Sequence, residues 1–294
     1  MKVVKLTDKN VQAFRSYFKQ FSHEQDESNP PLDDFTPGDD DPVYLLVKGN
    51  EIRGAAALML HTEYREVRMA RLRMFHAVDG DYLSYLKLLN SILLHTSGLT
   101  SIYGFIEDKY SNIANIWEDL GFESRRFSWI LKRDTSNFTK PEFPDGFELR
   151  TFREGTDEEN WCDIINDAFA HTLGHVRLTK EKIAQWKLDP TYIDGGMKML
   201  WYKDKPVGTL AMTKEMHEGE EVLFIEAIGV LTEEQGKGLG KNLLRAGIEF
   251  ANNYGSKKAM LSVNGENDKA AEMYFREGFK KEALYKCYYL DIKN

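Results

Sequence analysis

Cysteine is scarce: of 294 residues only Cys162 and Cys287 carry a thiol, and neither stands in a CxxC pair or a Cys/His cluster. A disulfide framework and a zinc site are both excluded as organising features, and a reducing cytoplasm is the expected compartment. Long hydrophobic runs are missing too. No stretch approaches the ~18 apolar residues of a membrane span, and the opening MKVVKLTDKNVQAF holds no apolar signal core, so neither secretion nor insertion is expected. A basic excess is also lacking. The 39 Lys and Arg against 47 Asp and Glu give a formal charge of -8, which argues against a nucleic-acid or membrane partner and suits a cationic or amine-bearing one.

What is present is ordinary globular material. With 42% hydrophobic and 29% charged residues the chain should fold throughout, and its length favours two domains. Turn formers and two prolines in LKRDTSNFTKPEFPDGF, from Leu131, interrupt any hydrophobic period. The expected division is therefore a domain over 1–137, a linker over 138–146 and a second domain over 147–294. Both sides follow one plan: strand, amphipathic helix, strand pair, third strand, helix, strand, helix, final strand. The plan predicts an α/β (α+β) module in tandem, each copy a twisted mixed sheet flanked by helices. At the ends, NIANIWEDLGFESRRFSWIL from Asn112 aligns with KAAEMYFREGFKKEALYKCY from Lys269, which sets Gly121-Phe122 over Gly278-Phe279 and Trp117 over Tyr274.

One segment separates the copies. In the second half Gln235-Gly236-Lys237-Gly238-Leu239-Gly240 lies between an apolar strand ending near Val230 and a helix from about Lys241; the first half has only Gly80 there. Glycines allow close approach and positive φ, and a helix N-terminus adds unpaired N–H donors and a favourable dipole, which together suit a pyrophosphate. A P-loop would need Ser or Thr after Gly240-Lys241, where Asn242 stands. A dinucleotide fingerprint would place its third glycine one residue later, and a plain strand-to-helix turn is the remaining structural alternative. The Q/R-x-x-G-x-G/A pattern fits at Gln235, Gly238 and Gly240.

With that loop the second half resembles the GCN5-related N-acetyltransferase (GNAT) superfamily. The stretch Asn267 to Phe279 is similar to the family's N-x-x-A-x-x-x-Y-x-x-x-G-F helix, and the tandem arrangement with a degenerate, non-catalytic first copy is loosely similar to mycothiol-synthase-like members. The resemblance implies acetyl-CoA as co-substrate and two adjacent strands that splay apart to admit pantetheine. Those strands would be Val222 to Val230 and Ala259 to Val263. It further implies backbone contacts at Ile228 and Val230, a pyrophosphate held by Gly236, Lys237, Gly238, Leu239, Gly240 and Lys241 beside Gln235, and a cofactor contact from Asn267. The implied activity is transfer of an acetyl group to a small-molecule or peptide amine by direct attack in a ternary complex. The alternative is a non-catalytic acyl-CoA-binding regulator.

An alkyl ammonium has no lone pair, so a base must take its proton. Glu226 interrupts the apolar run VLFIEAIGV and is the first candidate; a solvated strand face is its alternative, and Glu221 and Glu266 are weaker choices. By the resemblance Tyr274 would protonate the leaving thiolate, which Trp117 could not do. Eight acids between His23 and Asp41 (Glu24, Asp26, Glu27, Asp33, Asp34, Asp39, Asp40, Asp41) read as a solvated loop or an acidic rim that attracts cations. His171 and His175 find no third metal ligand. Together with Trp186 and Tyr192 they are acceptor-side candidates or packing residues.

Overall fold

The computed structural model of the chain describes residues 1–26, 30–31, 35–172 and 175–293. In chain order the elements are β1 (Lys2–Lys5), α1 (Val11–Phe21), β2 (Val43–Lys48), β3 (Glu51–Met59), α2 (Thr62–Glu66), β4 (Met69–Ala77), α3 (Tyr82–Ile92), β5 (Ser101–Glu107), α4 (Ser111–Asp119) and β6 (Glu123–Asp134). The second run is β7 (Phe147–Thr151), α5 (Glu158–Ala168), α6 (Lys180–Trp186), β8 (Tyr192–Tyr202), β9 (Lys205–His217), β10 (Glu220–Val230), α7 (Leu239–Tyr254), β11 (Lys258–Asn264), α8 (Asp268–Arg276) and β12 (Lys280–Asp291). No helix among the described residues is long and apolar enough to cross a membrane.

Two compact units form, and their membership departs from the chain order expected from the repeat. The first holds Met1–Ser128 with Ala283–Asn294, the second Trp129–Glu282. The copies thus exchange their last strands. In the first unit the strand order is β1-β2-β3-β4-β5-β12, with β12 antiparallel to β5 from Tyr285↔Glu107 to Asp291↔Ser101. In the second it is β6-β11-β10-β9-β8-β7. The stretch read as a linker has no helix or strand, yet it is pinned to the second unit: Phe138 and Phe143 pack on that core and Glu142 N–H donates to Asn242 Oδ1 at 3.0 Å.

Each unit buries apolar residues on both sheet faces. In the first, α3 and α4 cover Leu72, Phe75, Ile102 and Ile106, while α1 covers Leu45, Ala55 and Met74. Of the acidic stretch, Asp39 and Asp40 are exposed, as a solvated loop would have them, whereas three other acids are paired within the unit. Asp26 pairs with Arg71, Asp41 Oδ1 accepts from Arg73 at 2.6 Å and Glu24 lies 3.3 Å from His76. Glu27, Asp33 and Asp34 lie outside the described residues. In the second unit α7 places Leu239, Leu243, Leu244, Ile248 and Ala251 on β9, β10 and β11 at three- and four-residue spacing. It ends where Gly255 takes φ 93° and Ser256 N–H reaches back to Ala251 O.

The exchange makes fragment boundaries a direct test. A fragment of 147–294 loses Trp129 and Leu131 from the second core; Leu131 is fully buried, and its side chain alone stabilises by about 2–5 kcal/mol. Residues 129–282 should therefore melt in one cooperative transition, and 147–294 should melt lower or without cooperativity. Equal melting of the two in circular dichroism would contradict the exchanged arrangement.

Candidate active site

The site grows from one irregularity in the second sheet. Parallel β10 and β11 pair only at Leu223↔Ala259, Phe224↔Met260 and Ile225↔Leu261, although β10 runs on to Val230 and β11 to Asn264. Beyond Ile225 the strands part, so the edge of β10 that faces away from β9 has no strand partner. At the same point the β9–β10 ladder shifts register, with Ile225 opposite Met212 and Ala227 opposite Ala211, which makes Glu226 the bulged residue. A bulge re-aims its side chain. Glu226 lines a cavity of about 250 Å³ and remains accessible to solvent.

Burial raises the Glu226 pKa, a hydrogen bond from Thr213 Oγ1 at 3.4 Å works to lower it, and Asp189 raises it further; the net shift is upward. Cavity walls come from α5 (Ile165 and the following Phe169), from Val176 and Leu178, and from Trp186 at the end of α6. His175 lines it as well, its ring stacked on Phe169 with centroids 6.1 Å apart, and burial lowers its pKa. His171 is exposed and lines nothing here, because α5 stops at Ala168 and helical spacing no longer relates the two histidines. Tyr192 packs in the adjoining cluster with Trp186. Glu221 and Glu266 are exposed and outside the cavity.

Two residues that the sequence did not single out hold these walls. Asn166 Nδ2 donates to Leu178 O at 2.9 Å and Asn166 Oδ1 accepts from Leu178 N at 2.8 Å, so one side-chain amide fixes the segment after α5. Those bonds set the orientation of the amide, and His175 Nε2, 3.2 Å from the same Oδ1, must be the donor. Asp167 Oδ2 accepts from Thr232 N at 2.6 Å and ties α5 to the turn after β10. No local pattern marks either residue, since both partners lie more than ten positions away.

The glycine turn follows. Gly236 and Gly238 have φ 81° and 79°, and a Cβ added at Gly236, Gly238 or Gly240 would meet no atom within 4 Å, so the concave side of the turn is open. Leu239, almost fully buried, anchors the turn to the core. Leu239, Gly240 and Lys241 open α7, where N–H groups have no intrahelical acceptor. Gln235 braces the turn from within, its Nε2 donating to Val230 O at 3.1 Å, and Lys237 pairs with Glu234 at 2.7 Å. Ile228 is half-buried on the parted stretch of β10. Asn267 caps α8, accepting from Ala270 N at 3.1 Å. On that helix Tyr274 packs near Phe279, and burial pushes its phenol up to about 12.

The first unit repeats the parting and closes it. Pairing of β4 and β5 stops at Arg71↔Tyr103 while β4 continues to Ala77, and the bulge falls at Arg73. The gap is filled by Trp117, buried against Phe75 and Phe122; a methyl at Gly104 would come within 2.8 Å of its ring. Gln25 makes a two-point bond with the backbone of Phe75, donating to its carbonyl and accepting from its N–H at 2.9 Å. Four residues, 78–81, replace the eight of 231–238, and the Asp81 carboxylate caps α3 at 3.0 Å from Ser84 N. An anion already sits at that helix start.

Comparisons with known proteins agree with this architecture. Residues 153–279 match the sequence model of the Acetyltransferase (GNAT) family. The chain is similar to proteins named mycothiol acetyltransferase from Catenulispora acidiphila (27% identity over 174 residues, 58% of this chain and 55% of the relative) and Streptomyces coelicolor (29% over 239 residues, 81% and 75%). The chain thus spans about half the length of the first of these. Among solved structures, a GCN5-related N-acetyltransferase from Sphaerobacter thermophilus shares the fold with TM-score 0.70 at 17% identity, covering 99% of this chain and 96% of the other. A tandem GNAT protein from the clavulanic acid biosynthesis pathway does so with TM-score 0.72 at 12% identity, covering 100% and 99%.

The raised Glu226 pKa has a consequence for stability. A carboxyl with a higher pKa folded than unfolded leaves the folded state relatively weaker as pH rises through the unfolded and then the folded value, and the full penalty stands above both. Glu226→Gln removes that penalty. Near pH 7 the variant should melt at or above the parent temperature, and the difference should vanish below about pH 4. A lower melting temperature near pH 7 would make Glu226 a structural residue.

Proposed function

With residues 153–279 forming an acetyltransferase (GNAT) domain, we propose that the second unit catalyses acetyl-CoA-dependent N-acetylation of an amine, while the first has no acyl-CoA site. The observation that carries this reading is the parting of β10 from β11 with Glu226 bulged at its apex and an open glycine turn at its end. A thioester co-substrate supplies an activated acetyl group. The residues present fit it: the edge of β10 from Glu226 to Gly229, which pairs with no strand on the β11 side among the described residues, can bond an extended amide-bearing arm, and the N–H groups at the start of α7 can hold a pyrophosphate.

The amine arrives as an ammonium and is attracted to the Glu226 carboxylate. Its raised pKa makes Glu226, when ionised, a better proton acceptor than an ordinary glutamate. Tyr274, kept protonated by burial, can give its proton to the departing sulfur. A thiolate leaves readily without help, so the Tyr274 contribution should be the smaller of the two.

Two measurements test the reading. In calorimetry acetyl-CoA should bind at about one equivalent per chain, and Gly240→Glu should abolish binding without lowering the melting temperature. The added Cβ meets no atom within 4 Å and a carboxylate suits a helix start, but its charge repels a pyrophosphate. In kinetics Glu226→Gln should reduce kcat/KM on the order of a hundredfold and lose the acid limb, whose midpoint lies above the ordinary glutamate range; Tyr274→Phe should cost on the order of tenfold. Two equivalents of acetyl-CoA, or unchanged turnover by Glu226→Gln, would overturn the assignment.

A further inference from the structure

The cavity above Glu226 carries chemical information about what enters it. It holds about 250 Å³ and is walled by Ile165, Phe169, Val176, Leu178, Trp186 and Ala227. Among the described lining residues only Glu226 and His175 bear titratable side chains. Burial lowers the His175 pKa, and its Nε2 proton is engaged by Asn166, so the ring is neutral and partly committed. One carboxyl group, that of Glu226, therefore lines an otherwise apolar, aromatic-walled space, and no Lys or Arg stands among the described lining residues to meet a second anion. Among the described lining residues no hydroxyl or amide side chain is present either, so none of them can pair with a row of substrate hydroxyls.

We propose that this cavity is an acceptor seat selective for compact, apolar primary amines with a single positive charge, arylalkylamines above all. The inference rests on the acyltransfer reading and narrows it to a substrate class. A buried ammonium gains from the carboxylate and from the faces of Trp186 and Phe169, and the remaining body of the amine replaces water against apolar walls. An amino acid would bring its carboxylate towards Glu226. A sugar amine would strand hydroxyls, and a polyamine would carry a second charge into an apolar wall; each mismatch costs roughly an order of magnitude in affinity. The net charge of -8 helps draw a cation in. Asn166 is the positioning residue for specificity, because its two bonds to Leu178 fix the wall that Val176 and Leu178 form.

The test uses the full chain with four amines: 2-phenylethylamine, glucosamine, spermidine and phenylalanine. Acetyl transfer is followed as release of the coenzyme A thiol, and amine binding is followed separately by calorimetry. Expected is a kcat/KM for 2-phenylethylamine roughly 30-fold or more above each of the others. Val176→Trp, which fills the cavity from the wall supplied by the segment around Leu178 and not from β10 itself, should lower 2-phenylethylamine affinity about tenfold or more while acetyl-CoA affinity stays the same. Glucosamine, spermidine or phenylalanine used as well as 2-phenylethylamine would overturn the inference and leave the transferase reading standing. Binding of 2-phenylethylamine that is lost in both Val176→Trp and Glu226→Gln, with no acetyl product, would uphold the cavity assignment and overturn the transferase reading. Failure of 2-phenylethylamine to bind at all would overturn the inference whatever acetyl-CoA does.

Discussion

Two parallel strands that stop pairing while still inside a sheet create a problem that the remaining structure must answer. The N–H and C=O groups beyond the last ladder pair are near the core, and leaving them without partners costs free energy comparable to a lost hydrogen bond for each. Both units contain this parting, after Arg71 in one and after Ile225 in the other. Each answers it differently.

The first unit answers with its own side chains. Gln25 offers Phe75 a carbonyl and an amide, the two groups that an extended ligand arm would offer, and Trp117 takes the volume. Asp81 supplies the anion at the following helix. Arg73 replaces Glu226 at the bulge and is bound by Asp41, whose pKa burial would raise but hydrogen bonds from His61 and Arg73 hold low. Gln25 and Asp41, from the stretch that follows α1, are therefore part of the plug. In the second unit the same three places hold a bare strand edge, Tyr274 and an open glycine turn, so the backbone requirement is left for a ligand to meet.

Local sequence carried the parts of this that depend on local geometry. The glycine turn, α7 with its three- and four-residue apolar spacing, and the Asn267-to-Phe279 helix were legible because the physics that fixes them lies within a few residues. Glu226 stood out as a charge in an apolar run, but its aim depends on a bulge set by pairing with β9, which no run of β10 residues encodes. The internal duties of Gln235 and Asn267 were likewise hidden, since bracing Val230 O and capping α8 call for the same side chains as contacting a ligand. Asn166, Asp167 and Gln25 act on partners 12, 65 and 50 positions away. The exchange of last strands left no trace either: β6 and β12 have nearly the same burial pattern, and either could complete either sheet on hydrophobic pattern alone.

Where the carboxylate sits explains why the walls are what they are. On the proposed reading Glu226 is the general base, and the apolar walls beside it raise its pKa and so strengthen it as a base while weakening the fold above that pKa. Polar walls would relieve that cost and lose the shift. Apolar walls keep it, and the Asn166 clamp supplies the rigidity that such walls need, because van der Waals contacts alone do not fix the segment from His175 to Leu178 in one position. The same choice that tunes the base therefore limits the acceptor. On that reading the apolar side chains that raise the carboxyl also disfavour a polyol, so base strength and amine selectivity would both follow from one group of side chains.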